Sequence, residues 1–282
     1  YFGPQYAGQL PSRADTLRFF GLKPEGRVLH LATTELYDHG HVAKAIGEAK
    51  QRGDLPADLQ LYASVHPGGK MERHRPWAEQ YGFTIRFSPG RHPTPPSGLR
   101  GAGEPLPNEF IYNPTREEVL LLVSLFKQTD VAVNLSSTVA LESCMADRPV
   151  ICAFFPRPMN WQALFPLRWF TMSEREPLGN APGSSTRFAR SESFDLLARV
   201  EWRRSMVVRD FREHYADLLR GDGIAVARNP HQLVAQINEY LTHPEKDREG
   251  RRKSAEIIAT TRAGDASSRV LAAFQTLVDT RV

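Results

Sequence analysis

Apolar positions in this chain fall into short unbroken runs, separated by longer stretches with a helical period. Residues 27–32 (RVLHLA) form one such run, bounded by PEG and TTE, and read as a buried strand. A helix is expected over about 41–52, a second strand over 59–65 (LQLYASV), a helix through KMERHRPWAEQYGF and a third strand over 83–87. A long Pro- and Gly-rich loop follows, and FIY then makes a short strand. PTREEVLLLVSLFKQTD reads as a helix capped by Thr115, with Glu118 three residues on completing a capping box. VAVN, TVALESCMAD and PVICAFF give strand, helix and strand. Between Pro156 and Asp222 the alternation breaks, apart from a helical stretch over roughly 193–219. It resumes with GIAVA as a strand, NPHQLVAQINEYLTH as a helix and a closing helix from about Asp265.

Strands that are apolar throughout, rather than at every second position, belong in a parallel sheet covered on both faces. Strand–helix alternation leads to the same place. The fold expected is α/β, a doubly wound, mostly parallel Rossmann-like sheet with helices on both faces. Residues 1–26 are expected to be a linker between domains and 27–282 a single domain. That domain should carry a loop-rich insertion at about 88–108 and an aromatic, helical insertion at about 156–222. No internal repeat is visible.

Composition narrows the function classes. With 41% apolar and 24% charged residues among 282, the chain can bury an ordinary core. No apolar run reaches the roughly 18 residues of a membrane-spanning helix. The net charge of +4 is scattered rather than striped, which argues against a nucleic-acid partner and for small anionic ligands or an acidic surface. Cys144 and Cys152 lie in apolar surroundings with no CxxC spacing, so they read as buried thiols of a reducing cytoplasm. No DxD-like pattern stands at a strand end, and no metal site is expected.

The chemistry concentrates in NLSSTVALESCMADRPVI, residues 134–151. Ligands of open parallel sheets bind where strand ends lead into helices. Ser136, Ser137 and Thr138 stand at such a place and can donate to a phosphate. Glu142, four residues beyond Thr138, lies on the same helix face and can accept from ribose hydroxyls. The same hydroxyls also serve simply as helix caps, and an early Glu suits the helix dipole. At the other strand ends stand Thr33, Thr34 and Glu35, then His66, which Pro67 holds extended. Lys70 and Arg73 follow the Gly68–Gly69 turn, as diphosphate partners or as a solvated helix face.

SSTVALESCMADRPVI resembles the donor-site segment of GT-B glycosyltransferases and their relatives in bacterial surface-polysaccharide synthesis. The tail GIAVARNPHQLVAQINEYLTHPEKDREGRRKSAEII with its closing DASSRVLAAF is similar to theirs. RVLHLATTE and YASVHPGGK resemble the first two strand–loop units of the same half, including the His-Pro of the capsule and glycerophosphate-transferring branches. The likeness covers most of 27–282, and PSRADTLRFFGLKPEG resembles the segment leading into that half.

This resemblance implies a donor-binding domain for a nucleotide-activated sugar or polyol phosphate, held by Ser136, Ser137, Thr138, Glu142, His66, Thr33 and Thr34. The base would meet the main chain of Phe110 to Asn113. No cofactor is implied beyond the nucleotide donor, which is a substrate. The acceptor would be a glycan or a lipid-linked molecule. The acceptor-binding half, with its catalytic base, would precede Tyr1 as an N-terminal domain or stand in a partner chain. A cytoplasmic location is implied, peripheral to the inner membrane face if the aromatic cluster Trp161, Phe165, Trp169 and Phe170, interleaved with Arg157 and Arg168, meets an interface. A core extension or interdomain contact is the other account of that cluster. Two other functions fit the same half-fold. One is a non-hydrolysing sugar-nucleotide epimerase, which would want paired acids where Glu142 is followed by Ser143. The other is a non-catalytic nucleotide-binding subunit.

Overall fold

Strand β1 (Arg27–Ala32) shows how the chain is layered. Its odd-numbered residues Leu29 and Leu31 enter one apolar cluster, while Val28 enters another on the opposite face. A strand buried on both faces must lie inside a sheet, and the structure, a computed structural model, shows that sheet. It describes residues 2, 4–34, 39–93, 110–135, 137–156, 215–259 and 266–279.

The other strands are β2 (Leu59–Val65), β3 (Phe83–Phe87), β4 (Arg91–Pro93), β5 (Phe110–Tyr112), β6 (Val131–Asn134), β7 (Val150–Ala153) and β8 (Ala225–Ala227). Six of them form one sheet in the order β3-β2-β1-β6-β7-β8, every neighbouring pair parallel. The expectation of a doubly wound α/β sheet holds. β4 and β5 pair antiparallel as a separate ribbon, with Arg91 opposite Tyr112.

Helices α2 (Gly40–Gln51) and α3 (Met71–Tyr81) cover one face together with α7 (Pro230–Thr242). Val42, Ile46, Trp77, Leu233 and Ile237 pack there on Leu29, Leu31, Leu61 and Val133. α1 (Arg13–Phe19), α4 (Arg116–Gln128), α5 (Val139–Met145), α6 (Ala216–Arg220) and α8 (Arg248–Ala259) cover the other face. α9 (Ala266–Asp279) closes the described chain. α1 falls in the segment expected to be a linker, and its Leu17 is buried with Phe20, Val28, Tyr62 and Leu125. The α4 capping box forms as expected: Thr115 Oγ1 accepts from Glu118 N–H at 3.2 Å, and Thr115 N–H donates to Glu118 Oε2 at 2.8 Å. α8 was not foreseen. The expected insertion at 156–222 lies largely, and that at 88–108 mostly, outside the described residues.

His30 interrupts the apolar run of β1, and no part of it is exposed. Its Nε2 meets Ser64 Oγ at 2.7 Å, and burial pushes its pKa down to about 3, so the ring stays neutral. Cys144 and Cys152 are both buried, and neither is in a disulfide.

The two-faced layering depends on close approach between α2 and α3. A Cβ on Gly47 would stand 2.3 Å from Tyr81 Cβ, so the helices meet there only because the residue is glycine. Gly47→Ala should therefore cost about 1–3 kcal/mol by overpacking, despite alanine's better helix propensity. Urea unfolding checks this, and a variant as stable as the parent would show that the helices separate freely.

Candidate functional site

The order of strands places the site. From β1 the chain winds outward through β2 to β3, and from β6 it winds the other way through β7 to β8. The helix after β1 covers one face and the helix after β6 covers the other. The carboxyl ends of β1 and β6, paired at Ala32 and Asn134, therefore flank the crevice where open parallel sheets take their ligands.

On the β1 side, Thr33 and Thr34 have different duties. Thr33 is buried; its N–H donates to Ser64 O at 3.0 Å and its Oγ1 accepts from His66 N–H at 3.0 Å. It joins the β1 and β2 ends. Thr34 donates its N–H to His39 Nε2 at 3.2 Å, while its own hydroxyl is buried with no partner among the described residues. His66 is exposed at the end of β2, and its Nδ1 accepts from Gly68 N–H at 3.1 Å. That bond places the ring proton on Nε2, which faces outward as a donor. Lys70 and Arg73 are both exposed at the start of α3. Arg91 continues the bracing, with Nε donating to Pro67 O at 3.0 Å and its guanidinium 3.9 Å from the centre of the Phe87 ring. The main chain of Asn113 donates to Gly90 O at 2.9 Å.

On the β6 side, the three adjacent hydroxyl residues also divide. Ser136 lies outside the described residues, as does Glu35 on the β1 side. Ser137 is occupied locally: its hydroxyl accepts from Val139 N–H at 3.3 Å, and its own N–H donates to the Tyr215 hydroxyl at 2.9 Å. Thr138 is exposed and makes no capping bond, so capping does not account for it. Among the described residues neither its N–H nor its hydroxyl has a partner.

The carboxylate of Glu142, one turn into α5, makes no hydrogen bond or ion pair among the described residues. Burial pushes its carboxyl up to about 7. Tyr112 on β5 faces the same space: its phenol is raised by partial burial, then by the nearby Glu142 and Glu118 carboxylates. Its ring is 51% exposed. Glu118 itself is held low by the N–H of Thr115 and is 3.2 Å from His92 Nε2.

Together these contacts bring Thr33, Thr34, His66, Ser137, Thr138 and Glu142 to one edge of the sheet. Donors stand at Thr138 and His66, and an unpaired acceptor stands deeper at Glu142. Two residues of this edge were not picked out in the sequence, and Tyr112 entered only as part of the 110–113 main chain set against the base. Asn134, a polar residue closing an apolar strand, left a weak signal. Tyr215 left none, because its partner loop is 78 residues away. The cluster Trp161, Phe165, Trp169 and Phe170 lies outside the described residues. Among the described residues no helix is long and apolar enough to cross a membrane, and no group of three or more His, Cys, Asp or Glu is placed to hold a metal.

No protein-family model and no curated protein matches the chain. Solved structures do align with it. A UDP-GlcNAc 2-epimerase from Neisseria meningitidis bound to UDP-GlcNAc is 10% identical, with 97% of this chain and 49% of that one covered and a TM-score of 0.44. A glycosyltransferase involved in lipopolysaccharide biosynthesis is 12% identical, with 94% and 51% covered and a TM-score of 0.43. A UDP-GlcNAc 2-epimerase from Methanocaldococcus jannaschii is 14% identical, with 88% and 48% covered and a TM-score of 0.37. The chain spans about half the length of these structures.

Glu142 makes the site testable without a ligand. Its folded pKa of about 7 lies above the ordinary 4.5, so the folded state binds this proton more tightly than the unfolded chain does. The resulting stability is intact below the ordinary value and is lost as pH rises through about 7. Glu142→Gln, neutral at every pH, should stabilise the protein by roughly 2 kcal/mol near pH 8 and leave it unchanged near pH 4. Urea unfolding at the two pH values checks the difference.

Proposed function

We propose that this chain is the donor-nucleotide-binding domain of a GT-B-like transferase. It would help move a sugar, or a polyol phosphate, from a nucleotide-activated donor to a surface-polysaccharide or glycolipid acceptor. The observation that carries the reading is the Glu142 carboxylate, half-buried and unpaired among the described residues, one turn into the helix that follows β6 at the crevice. A carboxylate partly shielded from water, with no cation beside it among the described residues, is costly unless a ligand supplies its donors. Vicinal ribose hydroxyls are donors of that kind.

The roles divide by depth. Thr138, through N–H and hydroxyl, and His66, through Nε2–H, donate to phosphate oxygens at the mouth. Glu142 accepts from the ribose further in, and the backbone around Tyr112 flanks the base. When the bond to the leaving phosphate breaks, negative charge grows on its oxygens, and donors already fixed in place stabilise that charge without reorganising. Lys70 and Arg73 stand near enough in sequence to His66 to add to the field. The acceptor and the catalytic base are assigned to a second domain or partner chain, because the described residues make one such sheet. A lone acid favours transfer over epimerisation, since Glu142 is followed by the buried Ser143.

Calorimetric titration with nucleoside diphosphates is the direct test, and a chain that binds none of them sinks the reading. In a chain that does bind, Glu142→Ala should weaken nucleosides and nucleotides alike by about tenfold or more, the worth of a hydrogen bond to a charged group. Nucleoside affinity should rise as pH passes upward through about 7, where the Glu142 carboxyl ionises, and should be flat in Glu142→Gln. Uridine and adenosine are the probes for this, because they lack a phosphate that titrates in the same range. His66→Ala should weaken inorganic pyrophosphate and spare the nucleosides; equal loss for both would remove His66 from the phosphate end. Conversion of UDP-GlcNAc to its C2 epimer would favour the epimerase instead.

A further inference from the structure

One hydroxyl holds the loop between β6 and α5. Tyr215 gives its proton to Asn134 Oδ1 and accepts from Ser137 N–H at 2.9 Å, with Ser137 O a further 3.2 Å away. Asn134 Oδ1 also lies 3.4 Å from Ser137 N. Both Tyr215 and Asn134 are buried, and the Tyr215 ring is packed among Ala132, Ala140, Cys144, Val150 and Leu218. Ring and hydroxyl therefore do separate things: the ring fills an apolar cluster, and the hydroxyl fixes the backbone of Ser137.

That backbone determines where Thr138 points. Ser137 N–H is held by Tyr215, and the exposed Thr138 beside it keeps its N–H and hydroxyl without partners among the described residues. A local cap would have done the reverse, drawing the threonine hydroxyl back onto the helix. We propose that Tyr215 is a positioning residue of the binding site: through Asn134 and Ser137 its hydroxyl aims the Thr138 donors at a phosphate oxygen of the ligand. This rests on the nucleotide reading above and adds to it a dependence of phosphate recognition on a residue far along the chain. Fixed donors bind an anion better than mobile ones because the ordering cost is met on folding.

Tyr215→Phe removes only the hydroxyl and keeps the ring in its cluster. It is compared with the parent chain and with Leu218→Ala, which loosens the same cluster without touching the loop. The probes are inorganic pyrophosphate, UDP and uridine, with melting temperature measured alongside. Tyr215→Phe should weaken pyrophosphate and UDP by about tenfold and leave uridine unchanged, with melting lowered by no more than about 4 °C. Amide hydrogen exchange at Ser137 should quicken in this variant. Leu218→Ala should melt lower and keep the parent's ratio of UDP to uridine affinity. Phosphate probes bound by Tyr215→Phe as tightly as by the parent would overturn the proposal. So would a loss shared equally by uridine, which marks a structural role only. A parent chain that binds neither UDP nor pyrophosphate overturns the nucleotide reading and this proposal with it, whereas failure confined to the variant comparison overturns this proposal alone.

Discussion

The ladder between β1 and β6 is the constraint on which the rest depends. Among the described residues it is the only ladder joining the two halves of the main sheet, running from Leu29 opposite Val131 to Ala32 opposite Asn134. At its amino end, Val28 and Asp130 exchange two bonds, Val28 N–H to Asp130 Oδ2 at 2.7 Å and Asp130 N–H to Val28 O at 2.9 Å. These partners are 102 residues apart, so closing the join carries a high loop-closure cost. It is held because β1 and β6 are covered by apolar side chains on both faces. The reversal of winding at that same join opens the crevice. Fold and candidate site thus share one cause.

How much of this was legible in the sequence depended on whether a segment's burial is apolar. The strand runs RVLHLA, LQLYASV and VAVN stood out because parallel strands bury both faces, and their bounds match the structure. α4 was legible from its cap as well as its period. α8 was not, since its buried face carries Arg251, Ser254 and Ala255, and apolar periodicity cannot register an arginine at 0% exposure. α1 escaped notice because seven residues give the period too little length to show. At the site, the hydroxyl-rich loop and Glu142 were visible as residue types, but their division of labour was not. Which hydroxyl caps and which faces outward is decided by Tyr215, and no local pattern encodes a partner 78 residues away.

Buried polar groups are treated in two ways in this molecule. Arg251 is fully enclosed and satisfied: its guanidinium reaches Asp147 Oδ1 at 3.0–3.1 Å and donates to Pro244 O at 2.9 Å and to Lys246 O. Such a group fixes geometry and asks nothing of a ligand. At the carboxyl edge the Asn134 Nδ2 amide and the Thr34 hydroxyl are enclosed without partners among the described residues, and the half-buried Glu142 carboxylate has no cation among them. Each unsatisfied group of this kind costs about 1–3 kcal/mol. Deficits of that size persist where a site needs unpaired groups, and the remaining core has to offset them.

α5 lies between two anchors that both come from beyond residue 214. Tyr215 holds the loop at its start, while Arg248 and Arg251 of α8 grip Asp147 just past its end, at 3.0 Å each. Asp147 sits at a φ of 56°, a turn that few side chains adopt unless held. By sequence α5 belongs to the middle of the chain, but mechanically it belongs to the last third. A cut placed anywhere between β7 and Tyr215 would sever the helix from both supports while leaving both sheet neighbours of β6, β1 and β7, in place. Recombination or domain swapping that respects strand boundaries alone would therefore yield chains that keep their sheet and lose the loop's shape. The natural unit of exchange runs from β6 through α8 as a single block.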